Sequence, residues 1–228
     1  MKKAIAFLPN LLTLCNLLSG CAAVSVLFLQ ADFRAAFGWV IAAAGFDFFD
    51  GFAARMLRVS SPTGKELDSL ADMVSFGLTP AAVVFMLLNG RIGGWAGAAF
   101  LLTACAALRL AKFNTDDRQH DEFRGLPTPA CALFFVSLPM LHCGWTEQPA
   151  AVLILTGLFA ALLVCDLPMF SLKFKTFGFK NNALRYLFIA FSVLLLGWLG
   201  LAAPAAIVFA YIAVSTGRAL CRKRDTND

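Results

Sequence analysis

Asp47, Asp50, Gly51, Ala54, Arg55, Gly64, Asp68 and Asp72 follow one another in the spacing D-x2-D-G-x2-A-R-x8-G-x3-D-x3-D. Four carboxylates and one arginine thus sit between stretches that carry almost no charge. Ionisable groups at membrane depth are expensive, so they point to function. On a helix, Asp47, Asp50 and Ala54 share one face, as do Asp68 and Asp72. Gly51 and Ala54 are small enough to let a ligand or a second helix approach the backbone. Two helices that each present a pair of carboxylates could build an oxygen cage for Mg²⁺ or Mn²⁺. A site with two such ions suits attack on phosphorus. A hydroxyl nucleophile must lose its proton as it attacks, and a nearby carboxylate can take it. Spacing alone does not say which of the four does so.

The elements that carry these residues are apolar spans. Of 228 residues, 60% are hydrophobic and 14% charged, against about 45–50% and about 25% in soluble domains. A chain of this length cannot hide so much apolar surface in a soluble core. Met1-Lys2-Lys3 before an apolar run suggests a signal peptide, but Pro9-Asn10 interrupts it and no small-residue cleavage site follows. Residues 2–9 read as an interfacial lead-in. Spans are then expected at 10–29, 35–57, 66–88, 95–110, 130–143, 150–167, 186–199 and 204–219, the fifth of them short. The second and third carry the acid pairs, facing each other across a turn at 58–65 at one membrane surface. The expected fold is all-α, a polytopic bundle of about eight transmembrane helices, formed by 1–228 as a single domain. Six or seven spans remain an alternative.

Charge distribution orients the bundle. With eight spans, 16 of the 19 Lys and Arg residues fall on the side of both termini, with Arg34 and Arg91 opposite. The positive-inside rule places that side, and the motif with it, in the cytoplasm. Scattered basic residues argue against nucleic acid as a partner. The seven cysteines form no CxxC pair and read as buried, reduced thiols. His120 and His142 have no partner spacing, and the phenylalanines read as lipid-facing or core packing.

The motif resembles the signature of the CDP-alcohol phosphotransferases, with every fixed position matched. The resemblance implies a six-helix catalytic core and an enzyme of the cell membrane. By it, Asp47, Asp50, Asp68 and Asp72 hold two divalent ions, and Asp72 is the general base. It also gives CDP-diacylglycerol contacts to Gly51, Arg55, Ser61 and Gly64. Pro9-Asn10-x-x-Thr13 is similar to the family's first-helix motif and adds Asn10 and Thr13, although an Asn–Thr pair is as often a helix cap. Residues 109–114 (RLAKFN) and 123–130 (FRGLPTPA), with 10–20 and 60–72, resemble the bacterial and archaeal phosphatidylserine synthase branch. The likeness covers about residues 8–130.

That branch implies transfer of a phosphatidyl group from CDP-diacylglycerol to the hydroxyl of L-serine, releasing CMP. Arg109 could fork onto the serine carboxylate, and Asn114 could hold the ammonium through its carbonyl oxygen. A plain basic loop at 109–130 is the alternative. The family often forms homodimers, which the residues themselves do not indicate. Two other functions stay open. Phosphatidylglycerophosphate synthesis would call for more cations around an acceptor that brings its own phosphate. An ion-coupled transporter would place its acids near the midplane, open in turn to both sides.

Overall fold

The structure is a computed structural model and describes residues 7–59, 61–115, 125–141, 143–167, 169 and 179–225. Arg118, His120, Phe123, Arg124, His142 and the first two lysines lie outside the described residues. Every regular element among the described residues is helical.

Helix α1 (Phe7–Gln30) and α2 (Phe33–Leu57) form an antiparallel pair. Asp32 caps α2, its carboxylate accepting from the amides of Arg34 and Ala35 at 2.9 and 3.0 Å. The end of α2 is set by Arg58 in the left-handed region, φ 51°. Helix α3 (Pro62–Asp72) begins with Ser61 as its cap and Pro62 in the first turn, where a missing N–H goes unused. Residues 62–65, expected as turn, are therefore helical, and the connection between the acid pairs is shorter than expected.

Below Asp72 the same helix widens into a π segment, Met73–Leu78, before α4 (Thr79–Leu88) resumes. Here the Thr79 amide reaches Val74 O, five residues back. A 3₁₀ turn, Gly93–Phe100, leads into α5 (Leu101–Thr115). The remaining helices are α6 (Thr128–Ser137), α7 (Pro149–Val164), α8 (Phe179–Leu199) and α9 (Ala203–Asp225). Gly200, at φ +54°, begins the short 3₁₀ link between α8 and α9. Phe188 and Tyr211, almost equally far from that link, stack edge-on at 6.1 Å, so the two helices fold back on each other.

Among the described residues, eight apolar helical segments thus follow the eight expected. Of these residues, five stretches are long enough to cross a membrane, counting Asn182–Arg218 once although it folds back. Thr128–Met140 and Pro149–Val164 are shorter, about 20 and 24 Å at 1.5 Å per residue against a hydrocarbon core of about 30 Å. The chain is an all-α, multi-pass membrane bundle. Large apolar side chains such as Leu29, Ile154, Leu194 and Trp198 point outward, as lipid allows.

Two apolar clusters meet on α4. One joins α1, α2, α4 and α6 through Leu27, Val40, Val83 and Val136. The other joins α4, α5, α6, α7 and α9 around Phe134, Phe135 and Phe159. Between α1 and the π segment the contact is polar and close. Ser75 Oγ donates to Asn16 O at 2.9 Å, and a Cβ on Gly20 would come within 2.8 Å of Ser75 Cα. Backbone cannot yield there as a flexible side chain can. We expect Gly20→Ala to force α1 off the π segment and to lower thermal stability in detergent by about 1–3 kcal/mol. An unchanged melting temperature would mean that the contact carries no stability.

Candidate active site

Three helices bring the acids together. Asp47 and Asp50 lie on α2 about ten and seven residues from its end, and Asp68 and Asp72 about six and ten residues into α3. At 1.5 Å per residue the carboxylates lie about 9–15 Å from the helix ends, well below the turn that joins them. Ligand oxygens of Asp47, Asp50 and Asp68 all fall within 4.8 Å of one another. Asp72 stands outside that group of three but meets Asp47 side chain to side chain.

Helix α1 supplies polar groups that aim the acids. The Thr13 hydroxyl donates to Asp50 Oδ2 at 2.7 Å. Its oxygen is also 3.0 Å from Pro9 O, but one proton serves one acceptor, and the shorter bond to a carboxylate is the stronger. Asn16 Nδ2 donates to Asp72 Oδ1 at 3.1 Å. Pro9, Thr13, Asn16 and Gly20 follow the i, i+4, i+7, i+11 pattern of one helix face. Asn16 was absent from the expected site, although a polar residue on that face of an apolar span was its signal.

The donor set fits a divalent cation. Close carboxylates repel unless a cation or protons lie between them. Asp68 Oδ1 is buried and has no hydrogen-bond partner among the described residues, an arrangement that is costly unless a ligand completes it. Hard oxygen donors of this kind suit Mg²⁺ or Mn²⁺.

Beside the acids a pocket of about 480 Å³ opens toward the α2–α3 turn. Asn10, Thr13, Gly51, Arg55, Ser61 and Gly64 all line it, together with Asp50 and Asp68. Arg58 and Lys65, not among the expected site residues, line it too. Three cations at the rim of an acid-floored pocket suit a ligand with phosphates at one end. Ser61 Oγ is occupied as the cap of α3, accepting from Gly64 N at 3.0 Å. At Gly64 a Cβ would meet Ser61 Oγ at 3.0 Å and Asn10 Oδ1 at 3.1 Å, whereas at Gly51 it would meet nothing within 4 Å. The open space at Gly51 is pocket, so a ligand can reach the backbone there.

The two acceptor-side residues are not brought together. Arg109 and Asn114, five residues apart on α5, point about 140° apart around the helix. Arg109 is 8% exposed, with Nη1 3.3 Å from Thr128 Oγ1. Asn114 Nδ2 instead donates to Ser69 Oγ at 2.8 Å, and its main-chain oxygen accepts from Lys65 Nζ at 3.0 Å.

Comparison with known proteins fits this geometry. Residues 6–170 match the CDP-alcohol phosphatidyltransferase family. A CDP-diacylglycerol–serine O-phosphatidyltransferase of Mycobacterium bovis is 32% identical over 223 residues, covering 92% of this chain and 73% of that protein. The enzyme of the same name from Bacillus subtilis is 34% identical over 138 residues, 60% of this chain and 77% of its own. An archaetidylserine synthase of Methanothermobacter thermautotrophicus is 35% identical over 142 residues, 58% of each chain.

If the acids are a cation site, the purified protein binds Mn²⁺ and Asp68→Asn weakens that binding at least about tenfold, as expected for loss of one charged ligand. Paramagnetic resonance of free Mn²⁺ during titration reads this directly. Equal affinity in wild type and variant would remove Asp68 from the site.

Proposed function

The chain belongs to the CDP-alcohol phosphatidyltransferase family, and from that premise we propose that it makes phosphatidylserine from CDP-diacylglycerol and L-serine. Membership in a family of transferases sets the transporter reading aside. The observation that carries the proposal is the acid cluster opening into a pocket rimmed by Arg55, Arg58 and Lys65. Homologues named for serine transfer, matching most of the chain, support the choice of acceptor.

Each residue has a part in this reading. Arg55, Arg58 and Lys65 hold the pyrophosphate through charge-assisted bonds. Asn10, Thr13, Gly51, Ser61 and Gly64 shape the nucleotide end. Asp47, Asp50, Asp68 and Asp72 hold two divalent ions, Mg²⁺ or Mn²⁺. When bound, such ions neutralise charge that develops on the phosphate oxygens. Arg109 takes the serine carboxylate; Asn114, on another side of α5, is the weaker of the two acceptor assignments.

Asp72 accepts the serine hydroxyl proton. The serine oxygen bonds to the phosphorus that bears the diacylglycerol. The bond from that phosphorus to the bridging oxygen breaks, and this oxygen leaves with CMP. The proton passes from Asp72 to solvent, so the enzyme returns unchanged. Residues 1–228 act as one catalytic domain in the cell membrane, with the site on the cytoplasmic side, following the lysine and arginine bias. A homodimer belongs to the same reading on family grounds.

The test is CMP release from CDP-diacylglycerol by detergent-purified protein. Release should require a divalent cation and L-serine, and Asp72→Asn should lower kcat by about 10²–10⁴. Release with glycerol 3-phosphate alone would keep the family and replace the acceptor. Gly51→Ala, which disturbs no packing, should raise the KM for CDP-diacylglycerol and leave the melting temperature unchanged. A KM equal to wild type would take Gly51 out of the binding surface.

A further inference from the structure

Among the described residues, two buried polar atoms near the acids have no partner. Asn16 is 0% exposed. Its side-chain nitrogen donates to Asp72 Oδ1 at 3.1 Å, while its Oδ1 accepts from nothing. Arg109 is 8% exposed, and its Nε likewise has no partner. Arg109 lies within electrostatic range of the same Asp72. One orphan is a neutral acceptor on α1; the other is a cationic donor on α5. A buried amide oxygen without a donor destabilises the protein unless a ligand supplies one. Free serine carries one group for each atom, an ammonium for the oxygen and a carboxylate for the guanidinium, on the carbon next to the one that bears its hydroxyl.

We propose that Asn16 is an acceptor-binding residue: its Oδ1 receives the ammonium of the amino-acid substrate while its Nδ2 holds Asp72 toward the substrate hydroxyl. This rests on the serine reading above and moves the ammonium contact from Asn114 to Asn16. The two ends of one amide then couple recognition of the amine to placement of the base. An acceptor without an amine leaves Oδ1 buried and unpaired, so it is selected against. Asn16 is fixed for this task by its own backbone, whose carbonyl accepts from Ser75 Oγ at 2.9 Å independently of the side chain.

The test compares L-serine with 3-hydroxypropionate, which keeps the carboxylate and hydroxyl and lacks the amine. Each is assayed as acceptor, or 3-hydroxypropionate as a competitive inhibitor where its turnover is too slow. In Asn16→Ala the preference for serine should shrink at least about tenfold, the value of a hydrogen bond to a charged group. If Asn16 only supports Asp72, both acceptors weaken together and the preference holds within about twofold, which overturns the proposal. Asn16→Asp keeps an oxygen at the site and loses the donor. It should lower kcat while the serine KM stays near wild type, and it decides the matter should Asn16→Ala not fold. Loss of serine preference in Asn16→Asp would also overturn the proposal. Absence of serine-dependent CMP release in the wild type is a separate result and would strike the functional reading itself.

Discussion

Four carboxylates held close together inside a helical membrane bundle set the terms for the rest of this molecule. Each loses hydration and each repels the others, so the fold must supply partners. Some of those partners are its own. Thr13 and Asn16, from a helix that carries no acid, donate to Asp50 and Asp72. Asp68 Oδ1 has no such partner among the described residues and leaves room for a ligand from outside. An acid cluster of this composition fits a divalent cation, and a cation held there could also face a phosphate.

Helix α1 therefore matters more to the chemistry than its apolar sequence suggests. Pro9, Thr13, Asn16 and Gly20 fall on a single face, and Gly20 lets that face lie against the π segment. The other face is lipid-exposed, with Leu18 66% exposed. One helix both anchors the protein and aims the acids, without contributing a charge.

Much of this was legible because the acid motif combines fixed spacing with an otherwise apolar setting. The pairs on α2 and α3 follow from helical periodicity, and the residues expected to touch nucleotide do line one pocket. What was not legible depended on packing between helices. Asn16 becomes a partner of Asp72 only when α1 crosses α3. Arg58 and Lys65 read as ordinary basic residues of a turn, and only the folded α2–α3 connection shows them lining the pocket. Pro62 could have corrected the start of α3, since proline favours a first helical turn. Likewise, a spacing of five on one helix argued against Arg109 and Asn114 sharing a small ligand. The π segment has no propensity signature; it arises where Ser75 and Thr79 find their partners.

That widened turn has a geometric consequence. A π turn inserts about one residue into a helix and shifts the phase of all that follows by about 100°. The span Pro62–Leu88 thus has two independent bearings. Above the slip, Asp68 and Asp72 point at α1 and α2. Below it, Val83, Val84 and Leu88 pack into the apolar clusters. A regular helix would tie these two directions together, so that turning the acids would unseat the core. The phase slip frees each half to be set by its own surroundings, and the length of that segment becomes the dial that sets one against the other.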